Sequence, residues 1–127
     1  MSGLSLGARG VALAFLGSGT LHLVRPQIFE PIVPRVLPRR RELVLASGVA
    51  EIACGAGLFV PRLRPYAAPA TVALLAAVWP ANLQMALDVD RAARRRPTAR
   101  NQVMRVGTWA RMPLQLPLMR WAWQARR

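Results

Sequence analysis

The stretch Val106–Trp123, "VGTWARMPLQLPLMRWAW", decides the fold. Its apolar content suits a membrane-spanning helix, which needs about 20 residues to cross a bilayer core. Yet it carries Arg111, Gln115 and two prolines in its middle. An arginine at the centre of a span costs about 2.5–3.5 kcal/mol on insertion scales, so it persists only beside a partner or a wet cavity. The rest of the chain has to supply that partner.

The quoted stretch belongs to an apolar run over 103–123, and three more such runs cover 6–24, 43–60 and 66–87. The chain of 127 residues is 54% hydrophobic, with a mean hydropathy of +0.25, more apolar than soluble domains usually are. No internal repeat or interdomain linker interrupts it. The expected fold class is therefore all-α, an integral membrane antiparallel four-helix bundle filling residues 1–127 as a single domain. Arg9 ahead of "GVALAFLGSGTLHLV" gives the first run the look of a secretory signal. No small-residue cleavage site with a polar continuation follows it, and three more apolar runs do, so an uncleaved helix is expected.

All 18 basic residues are arginines, against five acids, for a net charge of +13. A soluble nucleic-acid-binding protein would carry such a charge and would bind in a strongly salt-dependent way, but it leaves four apolar runs unexplained. No nucleic-acid partner is expected. The arginines cluster instead as "RVLPRRR" (35–41) and "RAARRRPTAR" (91–100), between the runs. Loops 25–42 and 88–105 carry eleven arginines against six on the opposite side, with Arg111 between. The positive-inside rule then places both loops in the cytoplasm and both termini on the outer side of the cytoplasmic membrane. The first loop, "RPQIFEPIVPRVLPRRR", holds four prolines that forbid a regular helix and apolar residues suited to the interface. Membrane lipids are accordingly expected partners. Trp109, Trp121 and Trp123 fit membrane interfaces, Trp79 lies deeper as a pocket residue, and Asp88 and Asp90 read as solvated helix-end residues.

Depth sorts the remaining polar residues. With about 1.5 Å of rise per residue, His22 lies roughly 3–5 Å below the face of the two loops, Asn82 and Arg111 roughly 9 Å, Glu51 roughly 13 Å and Gln115 roughly 15 Å. Helical spacing gathers Ser18 with His22, Gly48 with Glu51 and Gly55, Thr71 with Val78 and Asn82, and Thr108 with Arg111 and Gln115. Glycines around Glu51 permit close helix approach. Glu51 and Arg111 are the opposite charges nearest in depth, so a direct pair is expected, with His22, Asn82 and Gln115 beside it. That cluster reads either as a clamp fixing helix packing or as the polar floor of a site for a lipophilic ligand with a carbonyl or hydroxyl head. Pro80, Pro113 and Pro117 each strip a carbonyl of its helical donor and are expected to open a pocket there.

No nucleophile elbow, phosphate loop or paired-carboxylate motif is present, so no independent catalytic activity is expected. A single histidine and the lone Cys54 offer neither a metal ligand set nor a disulfide.

The polar positions lie in blocks, "GTLHLVRP", "FEPIVPRVLP", "SGVAEIACGAGL", "VWPANLQMALD" and "ARMPLQLPLMRWAW", that resemble the DoxX-like family of small bacterial four-helix membrane proteins over almost the whole chain. The matching positions are His22 and Pro26, Gly48 and Glu51, Pro80, Ala81 and Asn82, and Arg111, Pro113 and Gln115. The family takes its name from subunits associated with thiosulfate:quinone oxidoreduction, and some relatives are linked to membrane thiol redox complexes. The resemblance implies a non-catalytic accessory or lipophilic-ligand binding subunit, for a quinone or a lipid, beside a membrane redox partner. A bound quinone, none of it covalently held, or the partner would supply the redox centre. A structural membrane anchor for a partner enzyme and a small transporter assembled as a homo-oligomer are the alternatives.

Overall fold

The computed structural model describes residues 3–33 and 36–127; Pro34 and Arg35, counted above in the first loop, lie outside the described residues. The protein is all-helical, with four α-helices and, among the described residues, no strand: α1 Leu6–Val24, α2 Arg40–Phe59, α3 Arg64–Arg95 and α4 Ala99–Gln124. Two 3-10 turns, Pro26–Ile28 and Glu30–Ile32, follow α1.

Local chemistry sets the ends. The Ser5 side chain accepts from the Ala8 amide at 3.1 Å and starts α1, while Pro26 turns Arg25 out of helical geometry (φ −135°, ψ 64°) and stops it. Arg39, at φ 54°, opens α2 from the left-handed region. Pro65 sits in the first turn of α3, where its missing amide costs nothing. Pro80 lies inside α3, and Pro113 and Pro117 inside α4.

The third connection is much shorter than hydropathy suggests. Instead of a loop over 88–105, α3 continues to Arg95 and α4 begins at Ala99, leaving residues 96–98 between them. Alanine and arginine are good helix formers whatever their hydropathy. The chain breaks where Pro97 forbids continuation, and the Thr98 hydroxyl then accepts the Asn101 amide at 3.2 Å. Asp90 is not a free solvated acid: it meets Arg94 at 3.0 Å and, across to α4, Arg105 at 2.6 Å. Asp88 accepts from Gln84 at 3.0 Å.

Small residues set the packing. A methyl group on Gly19 would stand 2.6 Å from the Gly48 carbonyl oxygen, and one on Gly55 2.8 Å from that of Ala12, so α1 and α2 meet backbone to backbone. In the same way Trp121 covers Gly7, joining α4 to α1. Helix α2 packs on α1 and α3, and α4 on α3 and α1, whereas the backbones of α2 and α4 do not come close among the described residues. The buried core gathers Ala8, Val11, Ala12 and Phe15 of α1, Leu58 of α2, Ala68 and Leu75 of α3 and Ala122 of α4. These come from the first halves of α1 and α3 and the second halves of α2 and α4, so the core lies toward this end of the molecule, where only a smaller cavity of about 160 Å³ opens among Leu4, Arg64 and Gln124. The opposite end contains the cavity described next.

Helices α2 and α3 are long and apolar enough to cross a membrane, by length and composition. Helices α1 and α4 fall short of that measure, with Arg9 and His22 in α1 and Arg100, Arg105, Arg111 and Arg120 in α4 lowering their hydropathy.

Candidate functional site

Four residues singled out by depth and spacing line one cavity of about 400 Å³: His22 of α1, Glu51 of α2, Asn82 of α3 and Arg111 of α4. Its walls are mainly apolar. Val44 and Leu43 of α2 face Leu74, Ala77, Val78 and Met85 of α3, and Ile28, Phe29, Val33 and Leu37 of the first loop close one side. The loop thus holds its apolar residues against the helices. The prolines explain its reach: they prevent a helix that would carry the chain straight past the cavity mouth.

Glu51 is 6% exposed and His22 9% exposed. His22 Nδ1 lies 3.3 Å from Glu51 Oε2 and 2.6 Å from the Ser18 carbonyl oxygen. The imidazole stacks on Phe29 with ring centroids 3.7 Å apart and planes 14° from parallel. His22 is therefore held from below by its own helix and from above by the loop. Glu51 reaches it because Gly48, three residues earlier, brings α2 against α1: a methyl there would stand 2.7 Å from His22 Cβ.

The expected direct pair of Glu51 with Arg111 is not formed; among the described residues the carboxylate meets His22 instead. The reason lies in the helix arrangement. Depth places two residues at a similar height but not on neighbouring helices, and the backbones of α2 and α4 stay apart. Arg111 is exposed, on the far wall of the cavity from α2. The two charges line one space without neutralising each other at contact.

Gln115 leaves the expected cluster altogether. It is buried, and its Nε2 donates to the Leu75 carbonyl oxygen at 2.5 Å, fastening α4 to α3. Leu75 precedes Ala76, whose carbonyl loses its helical donor to Pro80. Asn82 is half-buried and makes no side-chain hydrogen bond among the described residues. Of the prolines, Pro80 lines the cavity, and Pro113 and Pro117 do not. Trp79, expected in the pocket, is 41% exposed and lies outside its lining. Thr71 is fully buried, with its hydroxyl turned to the Ala67 carbonyl at 2.7 Å.

Two residues of the site were missed by sequence reasoning. Ser47 lines the cavity, and its Oγ is buried without a hydrogen-bond partner; its place four residues before Glu51, on the same helix face, is the signal that could have found it. Phe29 carries no such signal, because an irregular loop has no period from which to read direction. Among the described residues, no three His, Cys, Asp or Glu side chains gather where they could hold a metal ion.

Chemically, the cavity offers a carboxylate, an imidazole, two hydroxyls (Ser18 and Ser47), an amide and a guanidinium around an apolar space. It can bind and orient a molecule with a small polar head. Neither a curated protein nor a solved structure matches the chain. The family model for a domain of unknown function, DUF8561, matches residues 11–126, and the chain belongs to that family.

Proposed function

We propose that this protein is a four-helix integral membrane protein, an antiparallel bundle, that binds a lipophilic molecule with a polar head and has no catalytic activity of its own. One observation carries the reading: an apolar-walled cavity of about 400 Å³ presents a carboxylate and a guanidinium that are not paired with each other. That volume falls within the range of small-molecule sites, which combine apolar walls with a few convergent polar groups. A pair evolved only as a clamp would bring its charges into contact.

Membrane integration is supported by what the helices leave outside. Leu6 is 84% exposed, Leu13 60%, Val49 58%, Tyr66 75%, Val103 71%, Val106 68% and Leu116 72%. Every helix contributes, while the interior is built largely of alanine and glycine. In water such a surface would drive aggregation; in lipid it is the expected exterior, with small residues inside. The arginine bias supports a cytoplasmic position for the ends bearing loops 25–42 and 96–98 with both termini outside, and the likeness to DoxX-like proteins supports a bacterial inner membrane. The likeness to DoxX-like proteins extends the reading to an accessory subunit of a membrane redox process, with a quinone or lipid as occupant; that extension rests on the likeness alone.

A purely structural anchor for a partner enzyme is the second reading, favoured by the contact between His22 and Glu51, which already joins α1 to α2. Native mass spectrometry of the protein released gently from membranes, wild type beside Arg111→Ala, separates the two. Because Arg111 is exposed and pairs with no acid among the described residues, the variant is expected to fold. A small lipophilic mass on the wild type that is lost from the folded variant supports the binding site. A wild type that carries a protein partner and no such mass supports the anchor.

A further inference from the structure

Beside the Ser18 hydroxyl, the polar corner of the cavity holds buried groups whose hydrogen-bonding capacity is not met. His22 Nδ1 lies 2.6 Å from the Ser18 carbonyl oxygen, an atom that only accepts, so this nitrogen carries a hydrogen and donates it there. In this tautomer Nδ1 bears a single hydrogen, whether or not Nε2 is protonated as well. That hydrogen is directed to Ser18, and Glu51 Oε2, 3.3 Å from the same nitrogen, is buried without a hydrogen-bond partner. One turn earlier on α2, Ser47 Oγ is also buried and unpartnered. An unmet buried acceptor is costly, the more so when charged. Arg111 cannot relieve it, since it makes no contact with Glu51 across the cavity.

We propose that the occupant of this cavity carries a hydroxyl group, as an alcohol or a phenol on an otherwise apolar body, and that this hydroxyl donates to Glu51 Oε2. The proposal rests on the ligand-binding reading above and specifies its head group. A ketone, ester or ether accepts from Arg111 but leaves Glu51 unmet. A hydroxyl satisfies Glu51 and can accept from Ser47 in return. Val44 and Val78, on α2 and α3, offer the apolar body its contacts.

The test is a titration of the full-length chain in detergent, read by native mass spectrometry, with four probes: a medium-chain alkylphenol, an aliphatic alcohol of matching length, and the methyl ether of each. At least one hydroxyl compound is expected to bind about tenfold or more tightly than its own ether, the size of a hydrogen bond to a charged acceptor. Glu51→Gln is expected to bring that ratio to within about twofold. Preference for the phenol, or for the alcohol, identifies the kind of hydroxyl and supports the proposal in either case. Equal binding of hydroxyl compounds and ethers overturns it while leaving a lipophile-binding cavity intact. Binding of no probe removes both readings. Should Glu51→Gln fail to fold, the wild-type ratio still decides, because it compares ligands within one fold.

Discussion

Gly48 stands where two helices and the candidate site meet. A methyl group there would lie 2.7 Å from His22 Cβ and 2.9 Å from the Gly19 carbonyl oxygen, and neither a helix backbone nor a Cβ can swing aside. Gly48→Ala is expected to destabilise the protein by about 1–3 kcal/mol, the range for overpacking. Gly10→Ala, with nothing within 4 Å of the new methyl, should be neutral or stabilising by up to about 1 kcal/mol; thermal unfolding in detergent compares the two. Gln115→Leu removes the donor to the Leu75 carbonyl and should cost about 1 kcal/mol by the same measurement. These residues also show what the sequence reveals at this scale. Polar groups within apolar runs announce themselves, and so His22, Glu51, Asn82 and Arg111 were all legible as site residues. Their partners were not. Helical rise gives height along a bundle but not the order of helices around it, which turned Glu51 toward His22 instead of Arg111. A backbone carbonyl has no mark in the sequence at all, which hid the destination of Gln115.

At the scale of elements, hydropathy and helicity measure different things. The first apolar run coincides with α1 because Ser5 and Pro26 bracket it. The third run fades near Leu87, yet α3 continues to Arg95. Solvent preference changes there while helix propensity does not. At 32 residues, α3 is about 48 Å long, more than the roughly 30 Å of a hydrocarbon core. In a bundle that spans the bilayer, its last turns and the start of α4 would stand as a helical hairpin beyond the core. Asp90 ties this hairpin by meeting both Arg94 and Arg105. The Arg94 side chain is 70% exposed and that of Arg105 36%, so solvent screens both pairs. Asp90→Asn is expected to cost no more than about 1 kcal/mol, and the difference from wild type should shrink as salt rises. A large loss that is insensitive to salt would mean that the hairpin is held differently.

Across the whole molecule, the small-residue core lies toward one end and the larger cavity toward the other, and the arginine-rich connections lie at the cavity end. Arg91, Arg94, Arg95, Arg96 and Arg100 surround the α3–α4 connection, and Arg39, Arg40 and Arg41 the start of α2, both at the cavity end. Arg126 and Arg127 belong with the termini at the core end, where Arg126 caps the Trp123 ring at 4.3 Å. If the bundle spans the bilayer, the positive-inside rule makes the cavity end cytoplasmic, and a ligand reaches it from the inner leaflet. Cys54 is the lone cysteine and is half-buried, so Cys54→Ala gives a background for single-cysteine labelling. On that background, a membrane-impermeant thiol reagent added to intact spheroplasts should modify Arg126→Cys at once and Arg96→Cys only after lysis. The reverse pattern would invert the orientation and place the cavity in the outer leaflet, with the helix packing unchanged. Modification of both positions without lysis would remove the spanning bundle itself, because residues 96 and 126 bound the two ends of α4 and a crossing helix cannot expose both to one side.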